Sequence, residues 1–483
     1  MSVLTGTLRE RAEALRRRAE PLEPDAEGRR ELTEATVRHA EEFLEALKTG
    51  PSWYPPRESS ELNDLPIGPG GQPFPEILDL IRREVEQEGL NPASPRDLGY
   101  VPGGGIYSSA LGDYLAAVGN AFSGYFPASP GAARVENRLV EWIAEIVGYP
   151  KEAGGTLTSG GSVAALTAII AARDAQGLRS EDFRRASVYV TSQEHYSVRK
   201  AVHLAGVGEA PCRIIAVDED FRLAPESLAA HIRKDRADGL IPWLVVSTAG
   251  TTNTGAVDPL DAVSDIARAE GLWHHVDAAY GGFYVLVPAR REVMRGIERS
   301  DSVVLDPHKS LFLPYGSGAV AVRDAAHLET FRWKAPYLVD APQKESSPSE
   351  RSIELTRHFR GMRLLVPLLL HGTEPFAAAL EEKWVLACYL QDELRRWEDI
   401  EVGPEPQLST MCFRYRPPGR TDQQTDDLNR RLIRALHADG RIFVSATYLN
   451  ERFWLRPSPG IFRTHAEHID EFLDLLKNFL AEL

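Results

Sequence analysis

Apolar positions in the first fifty residues recur at helical spacing. In LTEATVRHAEEFLEAL, Leu32, Val37, Phe43, Leu44 and Leu47 fall near one face, which predicts an amphipathic helix whose stripe has to be buried against a neighbour. The stretch after it, GPSWYPPRESSELNDLPIGPGGQPFP, is too rich in proline and glycine for regular structure and reads as an extended arm. From about residue 91 the pattern changes. Short apolar runs, SVYVT (187–191), RIIAV (213–217), WLVVST (243–248), LWHHVD (272–277) and SVVLD (302–306), alternate with helical stretches. Strands alternating with helices predict a mainly parallel sheet covered on both faces. After about residue 371 come a long amphipathic helix (EEKWVLACYLQDELRRW), a strand pair around MCFRYRP and RFWLRPS, and a closing helix (EFLDLLKNFL). The predicted organisation is therefore an N-terminal helical segment and arm (1–90), a large α/β domain (91–370) and a small C-terminal α+β domain (371–483).

Composition narrows the function classes. The chain has 483 residues, 43% of them hydrophobic and 26% charged, which is ordinary for a globular protein of two or three domains. A formal net charge of −15 argues against a nucleic-acid partner, because backbone phosphates would be repelled. The run Arg16-Arg17-Arg18 is interleaved with glutamates in a helical register around Leu15 and Leu22 and reads as a solvated helix face. Three cysteines without a Cys-x-x-Cys indicate neither a disulfide framework nor a zinc site, and buried free thiols are expected. The N-terminal segment lacks an apolar core of signal-peptide length. The longest apolar run, Leu364 to Leu370, is interrupted by Pro367 and is too short to cross a bilayer, so a cytoplasmic protein without a membrane partner is expected. The N-terminal helices and arm would bury their stripe best on a second copy, which predicts a homodimer.

Ligands of parallel sheets bind at the carboxyl ends of the strands. Thr248, Asp277 and Asp306 each end a run, so three polar side chains are expected at one edge. Lys309 follows in DPHK; its amine, with a pKa that burial can lower, can form a Schiff base with an aldehyde, which a permanently cationic arginine cannot do. Asp277, in HVDAAYGG, offers a carboxylate able to keep a pyridine nitrogen protonated, so that the ring draws electrons from a bond at a substrate α-carbon. Ala279, two residues on, shares a face with Asp277 and is small enough to lie against that ring. In TLTSGGSVAALTAIIAAR, the glycines and the free N–H groups at the helix start, with Ser162 as cap, make an anion site that holds a phosphate without a metal. His195, in TSQEHYSVRK, emerges at the same edge, where an imidazole can stack on the ring. Asp258 reads as the N-cap of the helix after TAGTTNTGAVDPL.

Together SGGS, QEH, TAGTT, HVDAAYGG, DPHK and RFWLRPS, with ASPGAARVENRLVEWIAEIVGYP (128–150) before them, resemble in order and spacing the group II pyridoxal phosphate (PLP)-dependent decarboxylases. That family includes the aromatic L-amino acid, glutamate, histidine and cysteine sulfinate decarboxylases. The resemblance covers essentially the whole chain. It implies the fold-type I, aspartate aminotransferase-like α/β architecture, PLP as cofactor and an L-amino acid substrate converted to its amine and CO₂. Carried over by position, it implies Lys309 as the Schiff-base lysine, Asp277 on the pyridine nitrogen, His195 stacked on the ring, Ala279 beneath it and Thr248 near the ring oxygen. Gly161, Ser162, Asp306 and His308 would surround the phosphate.

Two departures from the family pattern bear on chemistry. Asp306 stands where the family often has asparagine; a carboxylate beside a phosphate is repelled, so Asp306 is expected to bond to backbone N–H groups. Family members acting on aromatic substrates carry a loop tyrosine that donates the proton to the α-carbon, and the stretch 339–355, whose composition predicts a flexible lid, contains none. Tyr315 is the substitute candidate. In this family, loss of the loop tyrosine favours attack by oxygen and an aldehyde product. Tyr100 and Tyr315, with Tyr107, Tyr125 and Phe126, favour a planar apolar substrate side chain, whereas Arg96, Arg134 or Arg456 would suit an acidic side chain or the α-carboxylate.

Overall fold

Four of the five apolar runs of the central region form strands buried on both faces, and the fifth, RIIAV, lies at a sheet edge with Ile214 exposed. A computed structural model describes residues 7–333 and 345–482, and the chain divides into two compact units, Met1–Asn91 and Pro92–Leu483.

In the first unit, helix Leu8–Ala19 opens on a capping box in which Glu10 N–H donates to the Thr7 hydroxyl and Thr7 N–H to the Glu10 carboxylate. Arg16, Arg17 and Arg18 occupy its last turn, where they complement the helix dipole, and none of its residues is buried. Asp25 caps the next helix, Ala26–Ala46. Of the predicted stripe only Leu47 is buried, while Leu32 and Val37 stay exposed. The expected featureless arm is in fact partly regular: Trp53–Tyr54 pairs antiparallel with Gly89–Leu90. The buried Glu84 carboxylate accepts from Ser60 Oγ (2.6 Å), Glu61 N (3.1 Å) and the Arg57 guanidinium (2.6 Å), tying the arm down. A single buried charge leaves no periodic trace in the sequence.

The second unit is built on a seven-stranded sheet: β1 (Gly154–Thr158), β2 (Ala186–Thr191), β3 (Cys212–Ile215), β4 (Ile241–Thr248), β5 (Trp273–Asp277), β6 (Ser302–Leu305) and β7 (Gly318–Val322). The order is β1-β7-β6-β5-β4-β2-β3. Strands β2 to β6 pair in parallel, and β7 runs antiparallel to both β1 and β6. Alternation along β6 and β7 shows why both faces are apolar. Val303, Leu305, Ala319 and Ala321 pack in one core with helix Pro130–Val147, whereas Val304, Val320 and Val322 pack in another with helix Gly161–Ala175. Each fully buried valine or leucine contributes about 1.5–3 kcal/mol. A five-stranded sheet, ordered Ile400–Val402, Phe413–Tyr415, Arg452–Arg456, Phe443–Leu449 and Asp97–Leu98, carries the C-terminal helices Asp422–Asp439 and Ala466–Ala481 over its own core.

Several expectations are revised. Cys212 is exposed rather than buried, because it begins the edge strand β3; Cys388 is half-buried and Cys412 buried. Residues 339–344 of the expected lid lie outside the described residues. The described remainder is pinned: Arg134 pairs with Glu345 (2.8 Å), and the Ser347 hydroxyl accepts from Phe126 N (3.0 Å). Just beyond, the buried Arg357 pairs with the buried Glu136 and donates to Thr156 Oγ1 (2.8 Å) and Leu157 O (3.1 Å) on β1. Arg357→Ala leaves Glu136 charged and unpaired, so chemical denaturation is expected to show a loss of about 3–5 kcal/mol at unchanged m. A loss under ~1 kcal/mol would mean that the pair is not held as described. Among the described residues, no helix is long and apolar enough to cross a membrane, and no group of three or more His, Cys, Asp or Glu is placed to hold a metal.

Candidate active site

Register places the chemistry. Thr248 pairs directly with Asp277 across β4 and β5, and Asp277 pairs with Val304 across β5 and β6, two residues before Asp306. Asp306 N–H donates to Ala279 O (3.1 Å), so the segments leaving β5 and β6 stay side by side. At this carboxyl edge lies a cavity of about 360 Å³. Gly161, Ser162, His195, Thr248, Asp277, Ala279, Asp306, His308 and Lys309, all named from sequence, line it.

The anion end is the turn between β1 and helix Gly161–Ala175. Gly160 has φ 151°, a conformation that favours glycine, and a Cβ at Gly161 would lie 2.8 Å from Asp306 Oδ2, so a side chain there would have to displace that carboxylate. The N-cap is Gly160 without a side-chain cap, and Ser162 lies inside the first turn instead of capping it. The N–H groups of Gly161 and Ser162, the first two helical residues, have no acceptor within the helix. Asp258 does not cap its helix either. Its carboxylate accepts from Thr248 N and Leu223 N (2.7 Å each), and burial raises its pKa to about 6.

At the other end, Lys309 Nζ lies 3.1 Å from Asp306 Oδ2. The expected backbone partners of Asp306 are thus replaced by Lys309, and its Oδ1 is buried without a partner among the described residues. His308 Nδ1 donates to Ser317 O (2.6 Å), with Nε2 3.8 Å from Asp306, and burial pushes its pKa down. Asp277 Oδ1 accepts from Ala279 N (3.1 Å), which orients the carboxylate. His195 is half-buried, and burial lowers its pKa against the opposing pull of Asp277. Tyr196 leans on it at 4.4 Å between ring centroids.

Other candidates lie elsewhere. Tyr315 is outside the cavity lining, its ring 5.6 Å from that of His308. Tyr100, in a left-handed conformation (φ 47°), packs on Phe443 at 5.7 Å. Arg456 is buried and donates to Tyr100 O (2.9 Å), Ser445 Oγ (3.1 Å) and Thr252 O, leaving Nη2 without a partner among the described residues. Arg96 is paired with Glu471 (2.7 Å) and Arg134 with Glu345 (2.8 Å). Tyr107 lines a separate apolar hollow with Phe312 and Phe462. Ser197, Thr252 and Tyr280, inside TSQEHYSVRK, TAGTTNTGAVDPL and HVDAAYGG, also line the cavity, and their residue types alone carry no signal of it.

The donor set fits PLP: an amine at one end, a glycine turn with free N–H groups and serines for a phosphate, and a carboxylate placed to face a ring nitrogen. The model of the Pyridoxal-dependent decarboxylase conserved domain matches residues 56–416. The chain belongs to the pyridoxal-dependent decarboxylase family. An aromatic-L-amino-acid decarboxylase of Bacillus atrophaeus is 32% identical over 413 residues, spanning 84% of this chain and 86% of that protein. A phenylacetaldehyde synthase of Arabidopsis thaliana is 29% identical over 412 residues, spanning 82% and 84%. The crystal structure of Oryza sativa TDC with PLP and tryptamine superposes with a TM-score of 0.89 at 27% identity, covering 95% of this chain and 99% of that one. The protein is a PLP-dependent amino acid decarboxylase of fold type I.

Proposed function

We propose that this decarboxylase acts on an aromatic L-amino acid and that the cavity at the carboxyl edge of the large sheet is its active site. The observation that carries the substrate reading is electrostatic. Among the described residues no arginine lines the cavity, and two of the three arginines that could have met an acidic side chain, Arg96 and Arg134, are held in ion pairs. The third, Arg456, stands behind the lining residue Thr252 with one nitrogen to spare, enough for the α-carboxylate but not for a second carboxylate on the side chain, whose unpaired burial would carry a large desolvation cost. The aromatic-L-amino-acid decarboxylase and TDC relatives agree with this reading.

PLP, when bound, supplies an aldehyde that captures amines and a protonated ring that draws electrons from the bond broken at the α-carbon. Lys309, the lysine of the lining, would hold it. Asp277 would keep the ring nitrogen protonated, His195 and Ala279 would pack against the ring, Thr248 would lie near the ring oxygen, and Gly161, Ser162, Asp306 and His308 would surround the phosphate. Asp306 pairs with Lys309, which offsets the carboxylate's charge while the amine is free. Arg456, fixed by three acceptors with Nη2 to spare, is the candidate for the α-carboxylate. Tyr100 and Tyr315 remain candidates for the outer substrate contact.

A second reading has its own observation. The phenylacetaldehyde synthase is among the relatives, and the stretch 339–355 contains no tyrosine, although Tyr337 stands two residues before it in the sequence. In that reaction the amino acid, dioxygen and water give the aldehyde, CO₂, ammonia and hydrogen peroxide. PLP-loaded protein offered single L-amino acids under air separates the two readings. The proposal expects CO₂ and amine in equal amounts from an aromatic amino acid, whereas CO₂ with aldehyde and peroxide would replace it with the oxidative route. Turnover of glutamate in preference to aromatic amino acids would overturn the substrate class.

The protein is further proposed to work as a homodimer in the cytoplasm. Tyr107, Leu111, Tyr114, Leu115 and Val118, on helix Tyr107–Gly119, remain exposed, an apolar face that a second copy would cover. Light scattering is expected to give twice the chain mass of 53.5 kDa.

A further inference from the structure

One contact of His195 goes beyond the roles assigned so far. Its Nδ1 faces Ser197 twice: the backbone N–H of Ser197 donates to it at 3.3 Å, and the Ser197 hydroxyl lies 2.7 Å away. A backbone N–H can only donate, so Nδ1 must offer a lone pair and the hydroxyl must donate as well. Burial, the largest influence on this imidazole, favours its neutral form. A neutral ring with Nδ1 unprotonated carries its proton on Nε2, and Nε2 has no hydrogen-bond partner among the described residues. Ser197 lines the cavity beside His195 at the first position of helix Ser197–Val202, so the N–H contact is set by backbone geometry, and its burial restrains the rotamer that brings the hydroxyl to Nδ1.

We propose that Ser197 is a positioning residue that locks His195 in the Nε2–H tautomer, so that the imidazole presents a hydrogen-bond donor, and not a lone pair, to the cavity. The inference rests on reading that cavity as the active site. It has a mechanistic consequence. A neutral imidazole N–H is a very weak acid, so His195 held in this way orients an acceptor atom of the substrate and is not the proton source for the α-carbon. To become that source it would have to gain a proton on Nδ1, turning the Ser197 hydroxyl from donor to acceptor and breaking the bond from the Ser197 N–H. Asp277, Asp306 and Lys309 are the charged groups that act on the ring, the two carboxylates favouring its cationic form and Lys309 opposing it.

Neutron diffraction from deuterated, PLP-loaded crystals tests the assignment directly. The expected map has deuterium on His195 Nε2, none on Nδ1, and the Ser197 deuteroxyl pointing at Nδ1; deuterium on Nδ1 would overturn the proposal. Kinetics give an independent arm. Ser197→Ala is expected to lower kcat/KM about tenfold at unchanged PLP content, and Ser197→Thr, which keeps the hydroxyl, to return it to within about threefold of wild type. Wild-type kcat/KM in Ser197→Ala, or an equal loss in Ser197→Thr, would also overturn it. Cofactor density away from His195 would instead defeat the active-site reading and leave the tautomer result standing on its own.

Discussion

Lys309→Arg is expected to fold, to bind PLP without a covalent link and to lose decarboxylation by at least ~10³-fold, because no other residue can take over the covalent role. Lys309 is the only lysine among the described residues lining the cavity, and its Nζ stands 3.1 Å from Asp306. Arginine is the informative replacement. Alanine would also strip Asp306 of its cation and leave a buried carboxylate uncompensated, mixing a folding defect with a chemical one. Arginine keeps a positive charge near Asp306 and cannot form the bond. Far-ultraviolet circular dichroism and the unfolding midpoint report the fold, visible absorbance reports the covalent link, and CO₂ release reports the chemistry. A Lys309→Arg protein that retained more than a tenth of wild-type turnover would remove Lys309 from the mechanism.

The second large effect is at Asp277. Its carboxylate ends β5, accepts from Ala279 N (3.1 Å) and faces the cavity. Asp277→Asn keeps the volume and removes the charge, so the ring nitrogen loses the partner that keeps it protonated and its electron-withdrawing power falls. A loss in kcat/KM on the order of 10²–10³-fold is expected, with Asp277→Glu retaining part of the activity because the charge survives at a displaced position. The ground-state contacts of the substrate are untouched, so the loss should fall mainly on kcat. A change within threefold would show that Asp277 is not the ring's partner.

Much of the fold and site was legible in the sequence, and the misses have physical causes. Strands β2, β4 and β6 are nearly continuous apolar or β-branched runs and announce themselves, and β3 and β5 keep enough of that pattern to be read. Strands β1 and β7 do not: Gly154, Gly155 and Gly318 dilute the pattern, and these strands are small because the backbone must come close, a Cβ at Gly318 lying 2.6 Å from Gly160 Cα. Asp277, Asp306 and Lys309 could be read because their chemistry and their positions at strand ends agree. The identity of the substrate contacts could not. Arg96 is removed from consideration by Glu471 and Arg134 by Glu345, partners far away in the sequence. Ser162 and Asp258 were plausible caps by type, yet one lies inside its helix and the other is buried holding Thr248 and Leu223 in place. The second hairpin of the small sheet, Phe443–Leu449 with Arg452–Arg456, turns through Asn450 and Glu451, both left-handed, a geometry that the glutamate disguises.

The central claim is that PLP is held through Lys309 at the carboxyl edge of the large sheet. Borohydride reduction of the PLP-loaded protein, followed by peptide mass mapping, tests it most directly. The account predicts a pyridoxyl phosphate group on the peptide containing Asp306-Pro307-His308-Lys309, localised to Lys309; the same group found on another lysine would contradict it.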